Sequence, residues 1–187
     1  LTELKRWLPR AGVPGEDAEA MLAARRTLSD GAPALEIDVL IGDGDPLDLG
    51  GRELTAMLTP GHSVGHLCFH DESHGLLFAG DVVLPQRLPP VGSYSLDDAH
   101  DPIATFFASL ERVSRLDGTL VLPGHGQPFV GPLADALRIR QHHERRMRSL
   151  LDFLGQGPAT VWEAAVAAPW TRPWAELPRF AQLLGLG

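Results

Sequence analysis

TPGHSVGH, Thr59–His66, follows the apolar run RELTAML and leads into LCFH. Outward from it the same design recurs twice, in LLFAGD (Leu76–Asp81) and in TLVLPGHG (Thr119–Gly126). Each time a histidine or aspartate stands at or just past the end of an apolar strand candidate, beside Gly or Pro: His62, Asp81 and His125. Strand ends let a rigid scaffold hold side chains into a shared cleft, and neighbouring glycines permit the sharp backbone that aims them inward. Imidazole nitrogens and a carboxylate are donors that a divalent ion such as zinc accepts at about 2.0–2.2 Å. A carboxylate can also bridge two ions, which a single imidazole cannot. A lone loop histidine is usually a surface residue and a lone Gly-Asp a turn. Three such donors in order point to a metal site.

The surrounding pattern predicts an α+β chain. EIDVLI, GDGDP, LDLGG, RELTAMLTPG, VGHLCFHD and GLLFAGD read as short, mostly antiparallel strands with tight connections. GDGDP lacks the twelve-residue calcium-loop pattern ending in Glu and reads as a turn. Helical spacing predicts a helix in EDAEAMLAARRTLSDG, with Met21, Leu22 and Leu28 near one side and Gly31 at the stop. A second helix is expected in DPIATFFASLERVSRL, where Phe106, Phe107, Leu110 and Val113 recur and Asp117-Gly118 ends the run. A long one is expected over Leu133–Leu154, closed by GQGP, and then a tail of TVWEAAVAA, a Pro- and Trp-containing loop and AELPRFAQLLGLG.

Composition narrows the classes. With 187 residues and 44% hydrophobic content the chain can bury a real core. A net charge of -8 argues against broad binding to phosphate backbones, although Arg138–Arg148 is locally basic. The single cysteine, Cys68, excludes an internal disulfide, sits in apolar alternation and suggests a reducing compartment. No stretch has the length of a spanning helix and LTELKRWLPR lacks the core of a secretory signal, so a cytoplasmic protein without membrane association is expected.

TPGHSVGH, FAGD and LPGHG, in this order, resemble the motifs of the metallo-β-lactamase superfamily. The resemblance extends from about Asp43 to Phe129. LLFAGDVVLP, the DPIATFFASLERVSRL helix and RIRQHHERR look most like the subgroup of β-lactamase-like endoribonucleases and thioesterases. It implies the C-terminal half of a four-layer αββα sandwich over residues 1–130, a long helix over 131–155, and over 156–187 the start of a winged-helix-like tail. It implies that His62 binds a first metal, that Asp81 bridges two and is the catalytic carboxylate, and that His125 binds the second. Zinc is the expected cofactor, two ions per intact site, with iron or manganese as alternatives. The implied reaction is hydroxide attack on a small-molecule ester or thioester; an RNA-cleaving nuclease and a mononuclear-iron persulfide dioxygenase are the alternatives. The family's HxHxDH motif is absent, since no histidine precedes His62. The chain is therefore expected to be a fragment, the alternative being a remnant that has lost catalysis; it carries three of about seven ligands and is expected to be inactive alone and prone to dimerise through the surface the missing half would cover.

The remaining histidines divide by context. His66 stands four residues after His62, but a loop entering a strand does not point such a pair together, so it is expected to support the site by hydrogen bonding. His70 and His74 flank the turn HDESHG and are expected to face solvent. His100 precedes a helix, near the mouth of a cleft. His142 and His143 lie mid-helix, with packing as the first reading and, for His143, substrate contact as the second. QRLPPVGSYSLDD is the candidate substrate wall, Tyr94 its hydrogen-bond donor.

Overall fold

Alternating burial between Glu53 and Gly80 builds the centre of a six-stranded sheet. The computed structural model describes residues 2–29, 36–92 and 101–186; Gly31, Tyr94 and His100 lie outside them. The strands are β1 (Pro46–Asp48), β2 (Glu53–Leu58), β3 (Leu67–Asp71), β4 (Leu76–Gly80), β5 (Leu120–Pro123) and β6 (Phe129–Val130), hydrogen-bonded in that order. β1 to β4 are antiparallel neighbours, β5 joins β4 in parallel after helix α3 (Pro102–Ser114), and β6 turns back antiparallel on β5. A parallel neighbour needs a crossover, and α3 is that crossover.

The register sorts the sheet into two faces. Thr55 pairs with His70, Met57 with Cys68, His70 with Leu77 and Leu77 with Val121, so these share one side. Met57, Cys68, Leu77, Ala79 and Val121 form one buried cluster with Phe106, Leu110 and Val113 of α3 and with Ala136 and Ile139 of helix α4 (Leu133–Leu154). α3 starts where expected: the Asp101 side chain accepts from the Ala104 amide, with Pro102 in the first turn. Its Ser109 hydroxyl donates to the Pro60 carbonyl at 2.7 Å, and its Arg112 pairs with Asp43 at 2.7 Å. The first bond moors the TPGH loop to the helix and the second moors the turn before β1.

Among the described residues, 37–92 and 101–142 form this sheet unit, and 2–29, 36 and 143–186 form a helical one. The units are not consecutive segments of the chain. The opening LTELKRWLPR, where no element was expected, is helix α1 (Thr2–Arg10), followed by α2 (Gly15–Ser29). Their Leu8 and Met21 are buried with Ala165 of α5 (Val161–Ala167), Trp174 and Leu186. Trp162 and Trp170 flank Trp174 with ring centroids 5.4 and 5.1 Å away, and Arg146 lies over Trp170 at 3.6 Å. A last helix, α6 (Arg179–Leu184), contributes the buried Gln182, which donates to the Trp174 carbonyl at 2.7 Å.

Two strand expectations need correction. EIDVLI, residues 36–41, is not a strand, and Ile37, Val39 and Leu40 are 73%, 74% and 84% exposed. Alternation makes a strand only where a neighbouring strand takes its hydrogen bonds, and residues 36–41 form no ladder with β1, the outer strand of the sheet. LDLGG forms only the end of β1 before turning at Gly50 and Gly51. GDGDP is a turn, as expected: Asp45 accepts from the Gly42 amide at 2.6 Å, and Asp43 accepts from the Leu58 amide at 2.8 Å. The bond from the Leu58 amide, with Arg112, holds the Asp43 carboxyl below the usual carboxylate range.

Candidate metal centre

β4 and β5 are parallel neighbours, so their C-terminal ends lie side by side and the loops leaving them carry Asp81 and His125 to one place. The TPGH loop leaving β2 delivers His62. The two imidazole Nε2 atoms approach the same carboxylate oxygen, His62 at 3.5 Å and His125 at 3.7 Å from Asp81 Oδ2. An edge of a tetrahedron with bonds of about 2.1 Å is about 3.4 Å, so these spacings suit donors sharing an ion. The other carboxylate oxygen, Oδ1, is buried and has no hydrogen-bond partner among the described residues. A buried carboxylate oxygen is costly without a proton donor or a cation. The donor types and this orphaned oxygen fit a divalent ion. The cage is open, however: among the described residues no set of three or more His, Cys, Asp or Glu side chains is arranged to hold an ion by itself. His125 is largely exposed, while His62 and Asp81 are about three-quarters covered.

His66 is committed elsewhere. The Asp81 amide donates to its Nε2 at 3.0 Å, so that nitrogen is unprotonated and Nδ1, 2.8 Å from Thr59 Oγ1, carries the proton. Both nitrogens are occupied and neither can ligate. Burial holds the pKa of His66 below the ordinary histidine value, with neighbouring His62 adding to the effect, which matches a neutral ring accepting from an amide. Thr59 is fully buried and also contacts Cys68 Sγ at 3.3 Å. Burial pushes the Cys68 thiol up to about 11, against the Thr59 contact, so Cys68 is an inert core thiol.

Two glycines make room for this arrangement. Gly80 has φ +50°, and a Cβ there would lie 2.6 Å from His66 Nε2. A Cβ on Gly124 would lie 2.6 Å from Asp81 Oδ1. The small residues of FAGD and PGHG are thus required by the side chains they adjoin.

His143 is 9% exposed and belongs to the helical unit; Tyr94 lies outside the described residues. His74, half exposed, does not simply face solvent: its Nδ1 is 2.9 Å from Asp71 Oδ1, which also accepts from Ser73 at 2.8 Å. Asp71 is fully buried, with Arg52 Nε 3.2 Å from Oδ2. Burial alone would raise its pKa, but the bonds from His74 and Ser73 outweigh it and bring the carboxyl down to about 2. Sequence reading did not find this network, since an Asp-Glu-Ser-His run at a hairpin looks like any polar turn. It also did not find Pro90, whose carbonyl lies 2.9 Å from His62 Nδ1.

The metallo-β-lactamase superfamily model matches residues 3–125, and the chain belongs to that superfamily. Over 96 residues, 51% of this chain and 34% of the relative, it is 40% identical to the acyl-coenzyme A thioesterase MBLAC2 of Homo sapiens. It is 26% identical over 163 residues, 83% of this chain and 49% of the relative, to a Bacillus subtilis protein named probable metallo-hydrolase YqjP. A Thermus thermophilus metallo-β-lactamase family protein superposes with TM-score 0.68 and 29% identity, covering 92% of this chain and 58% of that one. A β-lactamase domain protein from Burkholderia ambifaria gives TM-score 0.74 and 28% identity, covering 89% and 51%. The chain spans about a third to a half of the length of these curated relatives.

Proposed function

We propose that the protein containing this chain is a metal-dependent hydrolase of thioesters or esters, with His62, Asp81 and His125 among its metal ligands. The observation that carries the reading is the approach of two imidazole nitrogens to one oxygen of Asp81 while its other oxygen is buried without a partner. A divalent ion bound there supplies Lewis-acid polarisation of a carbonyl and lowers the pKa of water from 15.7 to about 7, giving a nucleophile at neutral pH. The chain's own part is positional. Asp81 presents one oxygen to both histidines, the His66 ring fixes the Asp81 backbone, and Gly80 and Gly124 let these groups approach. Zinc, two ions per complete site, is the cofactor proposed, and the ligands beyond these three come from outside the described residues.

The likeness to an acyl-coenzyme A thioesterase favours a thioester over other esters. RNA is less favoured, because the basic run on α4 is partly engaged within the protein. Arg138 donates to backbone carbonyls at 2.8 and 3.0 Å, Arg140 lies 4.9 Å from the Phe107 ring and Arg146 lies over Trp170. The test is metal analysis of the natural full-length protein with thiol release from an acyl-coenzyme A series. Bound zinc with turnover, and loss of at least a hundredfold in kcat/KM in Asp81→Ala, is the expected result. Mononuclear iron with oxygen consumption would replace hydrolysis by an oxidative reading.

A further inference from the structure

One short loop reaches His62 at one end and the neighbour of His125 at the other, and α4 pins it from behind. Residues 84–90 begin three positions after Asp81. The Pro90 carbonyl lies 2.9 Å from His62 Nδ1, and a carbonyl can only accept, so Nδ1 carries the proton and Nε2 is left with its lone pair toward Asp81. At the other end of the loop, the Pro85 ring packs so closely on Gly126, next to His125, that a Cβ there would lie 2.9 Å from Pro85 Cγ. Between these points the loop is not in a relaxed shape: Gln86 has φ +55°, in the left-handed region that residues with a Cβ seldom occupy.

The α4 side chains that hold this shape are Arg138 and Asp135. Arg138 Nη2 donates to the Leu84 carbonyl at 3.0 Å and to the Arg87 carbonyl at 2.8 Å, bracketing the strained residue. Asp135 Oδ1 accepts from Arg138 Nε and Nη2 at 3.0 and 2.8 Å and from the Gln86 amide at 3.3 Å. One guanidinium and one carboxylate thus occupy three backbone polar groups around Gln86. A planar fork of fixed donors suits this, whereas a lysine ammonium offers one point of charge.

We propose that Arg138, oriented by Asp135, is a positioning residue of the metal site: by pinning the 84–90 loop it fixes His62 in its Nδ1-protonated form with Nε2 facing Asp81. This rests on the reading of His62, Asp81 and His125 as metal ligands. Groups that orient a ligating histidine through its second nitrogen typically change metal affinity 10–100-fold when removed. Arg138 does so at one remove, through the loop.

The test uses the natural full-length protein with Arg138→Met, Arg138→Lys and Asp135→Asn, and Arg115→Met as a surface control, since Arg115 is exposed and pairs with the exposed Glu111 at 2.8 Å. In the metal-free protein, long-range nitrogen–proton correlation spectra report which nitrogen of His62 is protonated. The wild type and Arg115→Met should show Nδ1–H alone, and Arg138→Met a mixture of the two tautomers. Zinc affinity, from competition with a chromophoric chelator, should fall about tenfold or more in Arg138→Met, with Arg138→Lys recovering only part. If Arg138→Met does not fold, Arg138→Lys and Asp135→Asn carry the same two readouts. Unchanged tautomer and affinity in folded variants would overturn the proposal. A wild type that binds no zinc but shows the tautomer shift in Arg138→Met would instead overturn the metal reading and leave the clamp standing.

Discussion

Asp71, beside the start of β4, is committed to structure, while Asp81, just past the end of β4, keeps one oxygen unengaged among the described residues. The Asp71 oxygens take Ser73, the His74 amide and ring, and Arg52, at 2.8–3.2 Å, whereas Asp81 Oδ1 takes nothing among the described residues. The difference gives a pH prediction. Asp71 has its folded pKa depressed to about 2 from an ordinary 3.8. Its ionised form therefore stabilises the fold fully above 3.8, and that contribution is lost as the pH falls toward about 2. Asp71→Asn should lower the urea midpoint at pH 6, and the gap to wild type should close between pH 4 and pH 2. A gap of constant size across that range would mean that the charge is not what the hairpin uses.

At the level of elements, helix ends are where local chemistry can be read and tested. α5 begins with a reciprocal cap: Thr160 Oγ1 accepts from the Glu163 amide at 3.2 Å, and the Glu163 carboxylate accepts from the Thr160 amide at 2.7 Å. These bonds hold the Glu163 carboxyl below the usual range. The Trp162 amide also donates to the Ala11 carbonyl at 2.9 Å, so the cap ties the tail helix to the turn after α1. Thr160→Ala should destabilise the helical unit by about 1 kcal/mol, within the 0.5–2 kcal/mol typical of N-cap loss, and Thr160→Ser should restore most of it. Thermal unfolding followed by tryptophan fluorescence is the measurement, because all four tryptophans lie in that unit. An equal loss in the serine variant would assign the effect to the methyl packing, not the cap.

For the whole molecule, the sheet buries one face and leaves the other half open. Leu58 pairs with Leu67, Phe69 with Phe78, Phe78 with Leu122 and Leu120 with Val130, so these side chains share the face opposite the helices. Leu58, Leu120 and Val130 are 39%, 38% and 72% exposed and the others half-buried. A contiguous apolar surface of this kind associates or binds hydrophobic dye. Residues 1–187 alone should therefore enhance ANS fluorescence and self-associate in light scattering, and a Leu58→Lys, Val130→Lys double variant should reduce both. A dye-silent monomer would show that the face is tolerated in water. No helix among the described residues is long and apolar enough to cross a membrane.

The sequence by itself determined where the three donors stand and which helices form around them. His62, Asp81 and His125 were legible because Gly, Pro and strand-like alternation are local signals. The long helix fell at Leu133–Leu154 as its periodicity implied. Tertiary structure alone decided which groups are spoken for. His66 is excluded from ligation by a backbone amide and a threonine, Arg138 is drawn to two carbonyls across 51 and 54 residues, and EIDVLI pairs with no strand among the described residues. α1 joins α5 and Trp174 in one core, which no linear pattern foretold. The physical reason is common to all four: backbone donors and acceptors carry no side-chain identity, and sheet edges and buried faces are made by residues distant in sequence.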